Sequence, residues 1–492
     1  MYKPEFNKIE ELSKGYDIIP VSCEMLSDIK TPIEVLKVLK KASRHCYILE
    51  SVENQEIWGR YTFLGYNPVM EISCIDKMIN IKDIVDQTTT TKMTDDPGSY
   101  LKELMSGYRS PKIEELPSFT GGLVGYFSYD YIKYSEPTLK LDAKDEEGFK
   151  DFDLMLFDKV IAFDNLKQKI ILIANMSTKN DLKANYERAV KELLEMKELI
   201  KNGEPFSNTN ARLTSEFRFL FEKEKYCEMV KKAKNYIYEG DIFQVVLSNR
   251  LEADFEGSLL NTYRALRVTN PSPYMFYFSS DDMEVAGASP ETLVKLENGT
   301  LHTFPLAGTR PRGKTPEEDK LLAKELLQDK KELAEHNMLV DLGRNDLGKI
   351  SRFNTVEVEK YMSVEKYSHV MHIGSTVKGE IKDGKTALDA VDAVLPAGTL
   401  SGAPKIRACE IINELEGNKR GIYGGAIGYI DFTGNLDTCI AIRIAYKKNN
   451  KVFIRSGAGI VADSVPETEF EECMNKARAV MNALELSKEV DE

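Results

Sequence analysis

The sequence predicts a mixed fold of helices and antiparallel strands, and three observations carry that prediction. Helical and strand patterns alternate through the first two hundred residues. The run from Lys295 to Phe304 reads as a hairpin turning on Asn298-Gly299, the strongest short hairpin signal. The chain ends in a meander, Gly424 to Asp431, Leu436 to Tyr446 and Val452 to Val461, closed by a helix that begins at Pro466.

Taken in order, the first half is interrupted by a Thr-rich acidic stretch from Gln87 to Gly98 and an acidic one from Asp142 to Gly148, both expected as surface loops. A helix rich in Lys and Glu follows from about Asp181 to Lys201. Gly203 to Ser215 then carries Gly, Pro, Ser, Asn and Thr and few apolar residues, so we divide the chain there into regions 1–203 and 216–488. In Glu222 to Tyr238 the apolar residues Tyr226, Met229, Val230, Ala233 and Ile237 form one helical face, stopped by Gly240. A strand is expected at Ile242 to Leu247, and helices from about Pro316 to Gly343.

One internal echo stands out. Phe119 to Phe127 (FTGGLVGYF) matches Ile422 to Ile430 (IYGGAIGYI) through a shared Gly-Gly-x-x-Gly-Tyr. Two glycine-rich strands resembling each other by chance, or a repeat of one structural unit, both account for it.

Composition narrows the function. The 492 residues hold 66 Lys and Arg against 79 Asp and Glu, a net charge of −13, so the basic footprint of a nucleic-acid binder is missing. An anionic ligand would have to be held by a few local cations or a metal. Seven scattered cysteines without a C-x-x-C pair fit neither a disulfide scaffold nor a zinc knuckle, which points to a reducing cytoplasm. The N-terminus lacks the apolar run of a secretion signal and no window reaches the ~18 apolar residues of a membrane span, so a soluble protein is expected. Trp58 is the single tryptophan.

Some residues look out of place for a scaffold. On a helix, Glu335 shares a stripe with Met338, Leu339 and Leu342, which sets a carboxylate in an apolar face. A Lys or Arg partner, or a metal, would satisfy it. On the last helix Glu469, Glu472 and Lys476 border an apolar face of Phe470, Cys473, Met474, Ala477, Met481 and Leu484. If that helix faces Glu335 across a cleft, two carboxylates suit Mg²⁺, and otherwise they are a solvated first turn. Arg443 is expected on a strand from Thr438 to Tyr446, among the small residues Cys439, Ala441 and Ala445, with room for a planar anion. His369 and His372 are an i, i+3 pair, so on a strand at most one faces a cleft.

Together, several long motifs resemble the chorismate-utilising enzymes, and among them the anthranilate synthase component I family. They are Ala288-Ser-Pro-Glu-Thr, Pro305-Leu-Ala-Gly-Thr-Arg-Pro-Arg-Gly, the Glu335 to Asp346 segment, Thr399-Leu-Ser-Gly-Ala-Pro-Lys, Tyr423-Gly-Gly-Ala, Leu436-Asp-Thr-Cys-Ile-Ala-Ile-Arg and Ser456-Gly-Ala-Gly-Ile-Val-Ala-Asp-Ser. The resemblance implies an α+β fold of two orthogonally packed antiparallel sheets flanked by helices, a four-layer α/β/β/α sandwich. It implies Mg²⁺ on Glu335 and Glu472, gripping the ring carboxylate of chorismate. It further implies substrate contacts from Gly308, Thr309, Tyr423, Arg443, Gly457, Ala458 and Gly459, with Lys476 as companion.

The implied reaction is amination of chorismate followed by loss of pyruvate to give anthranilate, with Glu291 as the general acid for the departing hydroxyl and His372 and Thr399 in support. Gln244 matches a lysine that activates water in isochorismate and salicylate synthases, so its amide disfavours water as nucleophile. Ala307 stands where aminodeoxychorismate synthases, the alternative reading, carry a reacting lysine. The resemblance also implies a tryptophan feedback site at Glu50 and Ser51, in Tyr47-Ile-Leu-Glu-Ser-Val-Glu, together with Pro273, Tyr274 and Met275. No cysteine lies in an amidotransferase nucleophile turn, so ammonia is expected from a separate glutamine amidotransferase subunit, anthranilate synthase component II, in a heterotetramer. A tryptophan-sensing protein without catalysis is the competing reading of another class.

Overall fold

The computed structural model describes residues 2–51, 59–207, 211–366 and 370–490, so Trp58, His369 and the end of the Tyr47-Ile-Leu-Glu-Ser-Val-Glu motif lie outside the described residues. Two antiparallel sheets of 13 and 12 strands stack with helices on their outer faces, an α+β sandwich.

Period-two alternation builds these layers. In the strand Lys159–Asp164, Val160 and Ala162 join the core between the sheets, while Ile161 and Phe163 face helices. In Phe152–Phe157 of the second sheet, Met155 and Phe157 point to the same inter-sheet core and Leu154 and Leu156 point away from it. Each such burial contributes about 1.5–3 kcal/mol, so a one-residue slip of either strand would lose several of them at once. The covering helices start where the sequence supplies caps. Asp181 accepts from the backbone N–H of Lys183 and Ala184 to open Leu182–Asn202, which buries Ala189, Leu193, Met196 and Ile200 on one face. The Asn298-Gly299 hairpin forms as expected, with both residues left-handed (φ 52° and 83°) and Glu297 opposite Thr300. The Thr-rich stretch expected as a loop instead contains an exposed edge strand, Thr88–Met93, paired with Met78–Asp83. Its β-branched threonines suit an extended backbone, and polarity alone misled the reading.

The internal echo is a true structural repeat. Outward from the centre of the first sheet run Cys46–Glu50, Tyr61–Tyr66, Lys159–Asp164, Lys169–Ser177 and Ile18–Leu26 on one side. On the other run Tyr274–Ser279, Met283–Ser289, Ile444–Lys448, Lys451–Ile460 and Gln244–Glu256, the same order of use along the chain. The echoing runs meet as neighbouring strands of the second sheet, Gly122–Phe127 against Ala426–Asp431, with Gly125 opposite Gly428. Their contacts are reciprocal: a Cβ on Gly122 would lie 2.0 Å from the Ile430 carbonyl oxygen, and one on Gly425 would lie 2.1 Å from that of Phe127.

Candidate active site

The site forms where two neighbouring segments of the chain turn from one sheet into the other. Met283–Ser289 of the first sheet continues into Thr292–Glu297 of the second, and the bend between them holds Glu291. Beside it, Leu436–Ile440 of the second sheet continues into Ile444–Lys448 of the first, and that bend holds Arg443. This corrects the single strand expected from Thr438 to Tyr446. The alternation of small and apolar residues runs on through the corner, but the backbone breaks at Ala441–Arg443 so that its two halves can join different sheets. Arg443 takes the bend with φ 52°, a conformation that costs a non-glycine residue about 1 kcal/mol or more and concentrates at functional sites. The two bends are tied by Ile440 N–H donating to the Glu291 carbonyl at 2.9 Å.

Glu291 is partly buried, and its carboxylate accepts from the Thr399 hydroxyl at 3.0 Å. Burial pushes its pKa up to about 7, against the opposing pull of that hydrogen bond and of the Lys476 and Arg443 charges. His372, on the strand Val370–Glu380, has Nδ1 2.8 Å from the Gly308 carbonyl and 3.2 Å from the Thr309 hydroxyl. Burial, with the nearby Arg443 charge, lowers its pKa, so the ring is neutral near pH 7.

A second arc comes from two helices and two strands. Asp329 caps the helix Lys330–Gly348, which carries Glu335. Burial first, then the Glu332 carboxylate and more weakly that of Glu472, raise the Glu335 pKa, so two carboxylates from separate helices feel each other here. Gln244, buried at the start of its strand, is in hydrogen-bond reach of Glu335, and its Oε1 is buried with no partner. Opposite lies the strand Lys451–Ile460, where Gly457 pairs with Ser248 and Gly459 with Val246. A Cβ on Gly459 would lie 2.7 Å from Gln244 Nε2 and one on Gly457 would lie 3.0 Å from the Tyr423 hydroxyl, so glycine lets the backbone, Ala458 included, approach this space. Lys476, on the helix Pro466–Leu486, donates to the Gly457 carbonyl at 3.1 Å and pairs with Glu472 at 2.8 Å. The proposed catalytic, substrate and metal residues thus form one linked constellation.

A cavity of about 520 Å³ opens elsewhere between the sheets, and Glu50, Ser51, Pro273, Tyr274 and Met275 all line it. Glu50 comes from one repeat and Tyr274 from the other. The Glu50 carboxylate is held by Arg267, with Nη2 at 3.2 Å from Oε2, and by the Tyr263 hydroxyl, both on the helix Leu260–Thr269. Asp437, which accepts from the Tyr274 hydroxyl at 2.8 Å, also lines the cavity and was not singled out from sequence. An acidic residue on an otherwise inward-facing strand was the available signal. Three-carboxylate or histidine clusters among the described residues, His45 with Glu71 and Asp281 and Glu71 with Asp153 and Asp282, lie apart from Glu335, and Lys150 already pairs with three of their members. No helix among the described residues is long and apolar enough to cross a membrane, and all seven cysteines are free.

A family model described as chorismate binding enzyme matches residues 44–482. The anthranilate synthase component 1 of Acetivibrio thermocellus is 45% identical over 497 residues, covering 100% of each chain. That of Aquifex aeolicus is 45% identical over 495 residues, 99% of this chain and 98% of its own. The solved anthranilate synthase component I of Streptococcus pneumoniae superposes with a TM-score of 0.75 at 38% identity, covering 93% of this chain and 98% of its own. The menaquinone-specific isochorismate synthase of Escherichia coli shares the fold, with a TM-score of 0.69 at 18% identity over 97% of this chain and 98% of its own.

Proposed function

Because the chain belongs to the chorismate-binding enzyme family, we propose that it converts chorismate and ammonia to anthranilate and pyruvate as the first component of an anthranilate synthase. The observation that carries this reading is the corner where Glu291, with a pKa near 7, meets Thr399 and Arg443. Hydroxide is a poor leaving group, and a carboxyl still protonated near neutral pH can deliver the proton that turns it into water. Ammonia adds at ring C2 as the C4 hydroxyl departs, and loss of the C2 proton with the enolpyruvyl group then yields anthranilate and pyruvate. The Gln244 amide offers no base for activating water, and its buried Oε1 can accept a hydrogen bond from ammonia.

Arg443, the Tyr423 hydroxyl and the Gly457–Gly459 backbone bind the carboxylates, with Thr309, Gly308 and Lys476 beside them. The neutral His372 ring, hydrogen-bonded near Thr309, orients that wall. The donor set suits Mg²⁺: Glu335, whose pKa is raised by burial first, then by Glu332 and more weakly by Glu472, offers with Glu472 two carboxylates from separate helices whose charge a divalent cation would relieve. When bound there it would neutralise the ring carboxylate of the substrate.

The naming of the relatives as component 1 suggests a second component, and in this reading component II is a glutamine amidotransferase that supplies ammonia within a cytoplasmic heterotetramer. L-tryptophan, the end product, inhibits through the cavity lined by Glu50, Ser51, Pro273, Tyr274 and Met275. Incubation of the purified chain with chorismate, Mg²⁺ and ammonium tests the reaction through anthranilate fluorescence. Accumulation of an amino-chorismate without anthranilate would overturn it.

A further inference from the structure

Four segments of the site come from distant stretches of chain: Gln244, Thr399, Tyr423 and Gly457–Gly459. One buried group of charges reaches the chain within two residues of each. Glu416, the last residue of the helix Lys405–Glu416, accepts two bonds from Arg420, at 3.0 and 2.6 Å, and one from Arg455 Nη2 at 2.7 Å. Its Oε1 also accepts from the Ser248 backbone and hydroxyl at 2.8 and 2.9 Å. Arg420 reaches outward to the Leu400 and Val246 carbonyls, each at 2.6 Å, one residue after Thr399 and two after Gln244. Its guanidinium lies 5.8 Å from the centre of the Tyr423 ring. Arg455 stands two residues before Gly457 on the same strand and binds Ser248 and the Lys419 carbonyl at 2.8 and 2.9 Å.

The side chains of all three are at most 1% exposed, and two guanidiniums against one carboxylate leave a formal +1 within the triad. Burying an unbalanced charge is costly, and a neutral brace would hold the same segments without that cost. A cation fixed in low dielectric acts over a longer reach than one in water, and an arriving anion recovers what its burial loses. We propose that Glu416, Arg420 and Arg455 are positioning residues that align the Tyr423 and Gly457–Gly459 cradle and lend it a net positive charge, so that they set its affinity for a carboxylate-bearing substrate. This rests on the reading that chorismate binds at that cradle.

Charge changes of opposite sign provide the test, read as KM and kcat for chorismate with Mg²⁺ and ammonium, and as calorimetric binding of chorismate. Arg455→Met takes the triad to zero and should raise KM about tenfold with kcat within about threefold of the parent. Glu416→Gln takes it to +2 and should lower KM. Joining both substitutions restores +1 and should bring KM back to within about twofold of the parent. Removing the pair together keeps this variant testable if a single one fails to fold. An unchanged KM in Arg455→Met, a KM that rises in both single variants, or a tenfold higher KM in the double variant would overturn the proposal. A parent chain that binds chorismate without turnover would instead overturn the reaction, and the order of affinities among the variants would still decide the role of the triad.

Discussion

Glu291 and Arg443 sit side by side at a corner where two adjacent segments of the chain pass between the sheets, and each bend presents its side chain to the same space. The proposed proton donor and anion binder are thereby fixed by backbone on both sides rather than carried on a mobile loop, which is what catalytic positioning requires.

Glu291→Gln should lower kcat by about 10²- to 10⁴-fold, since general acid catalysis has that range. In the parent, activity that depends on this proton falls as pH rises through about 7. Stability carries the matching sign. The folded pKa lies above the ordinary 4.5, so the unfolded chain ionises first and stability declines between pH 4.5 and about 7. Denaturation above pH 7 should show Glu291→Gln more stable than the parent by at most about 3 kcal/mol, less because the side chain keeps some solvent contact, and no different below pH 4.

Glu335→Gln and Glu472→Gln should each abolish Mg²⁺-dependent turnover while leaving the circular dichroism spectrum intact. Titration of the metal by calorimetry would show weakened or absent binding in both. Near-normal turnover in the pair would refute the assignment of the metal to these helices.

Ser51→Ala should relieve inhibition by tryptophan without changing KM for chorismate. Dose–response curves of anthranilate formation measure it, and unchanged inhibition would exclude Ser51 from the cavity's ligand contacts.

Gly428→Ala would place a methyl group 2.0 Å from the Asp437 carbonyl oxygen in the adjacent strand, where backbone must move to admit it. A loss of about 1–3 kcal/mol is expected, read as a lower thermal midpoint. A midpoint equal to the parent's would refute the close approach of Gly428 to the Asp437 carbonyl.

Local chemistry was legible in the sequence wherever neighbours in the chain decide the outcome. Asn298-Gly299 sets its turn through its own backbone preferences, and Asp181 opens its helix with its own side chain. The displaced carboxylate at Glu335 was visible because helical period exposes a charge in an apolar stripe. Arg443 was harder: its bend is imposed by two sheets competing for one run of residues, and nothing in the alternation of Thr438 to Tyr446 records that competition. The partners of His372 come from Gly308 and Thr309, and those of Glu50 from Arg267 and Tyr263. Such pairings depend on sheet order, which period and composition do not encode. The family motifs supplied the metal and substrate assignments that spacing alone left open.

The paired Gly122–Phe127 and Ala426–Asp431 strands mark a seam between two copies of one unit, joined as the halves of a symmetric dimer would be. The Glu291 and Arg443 corner has a counterpart in the first copy, where Phe152–Phe157 passes into Lys159–Asp164 at Asp158, but there no arginine takes the bend. The two corners thus share a backbone course and differ in the side chains they hold. The cavity built from Glu50 and Ser51 of one copy and Tyr274 of the other lies across the seam, so whatever fills it acts as a subunit-interface ligand does, wedging or clamping two bodies that are covalently one chain.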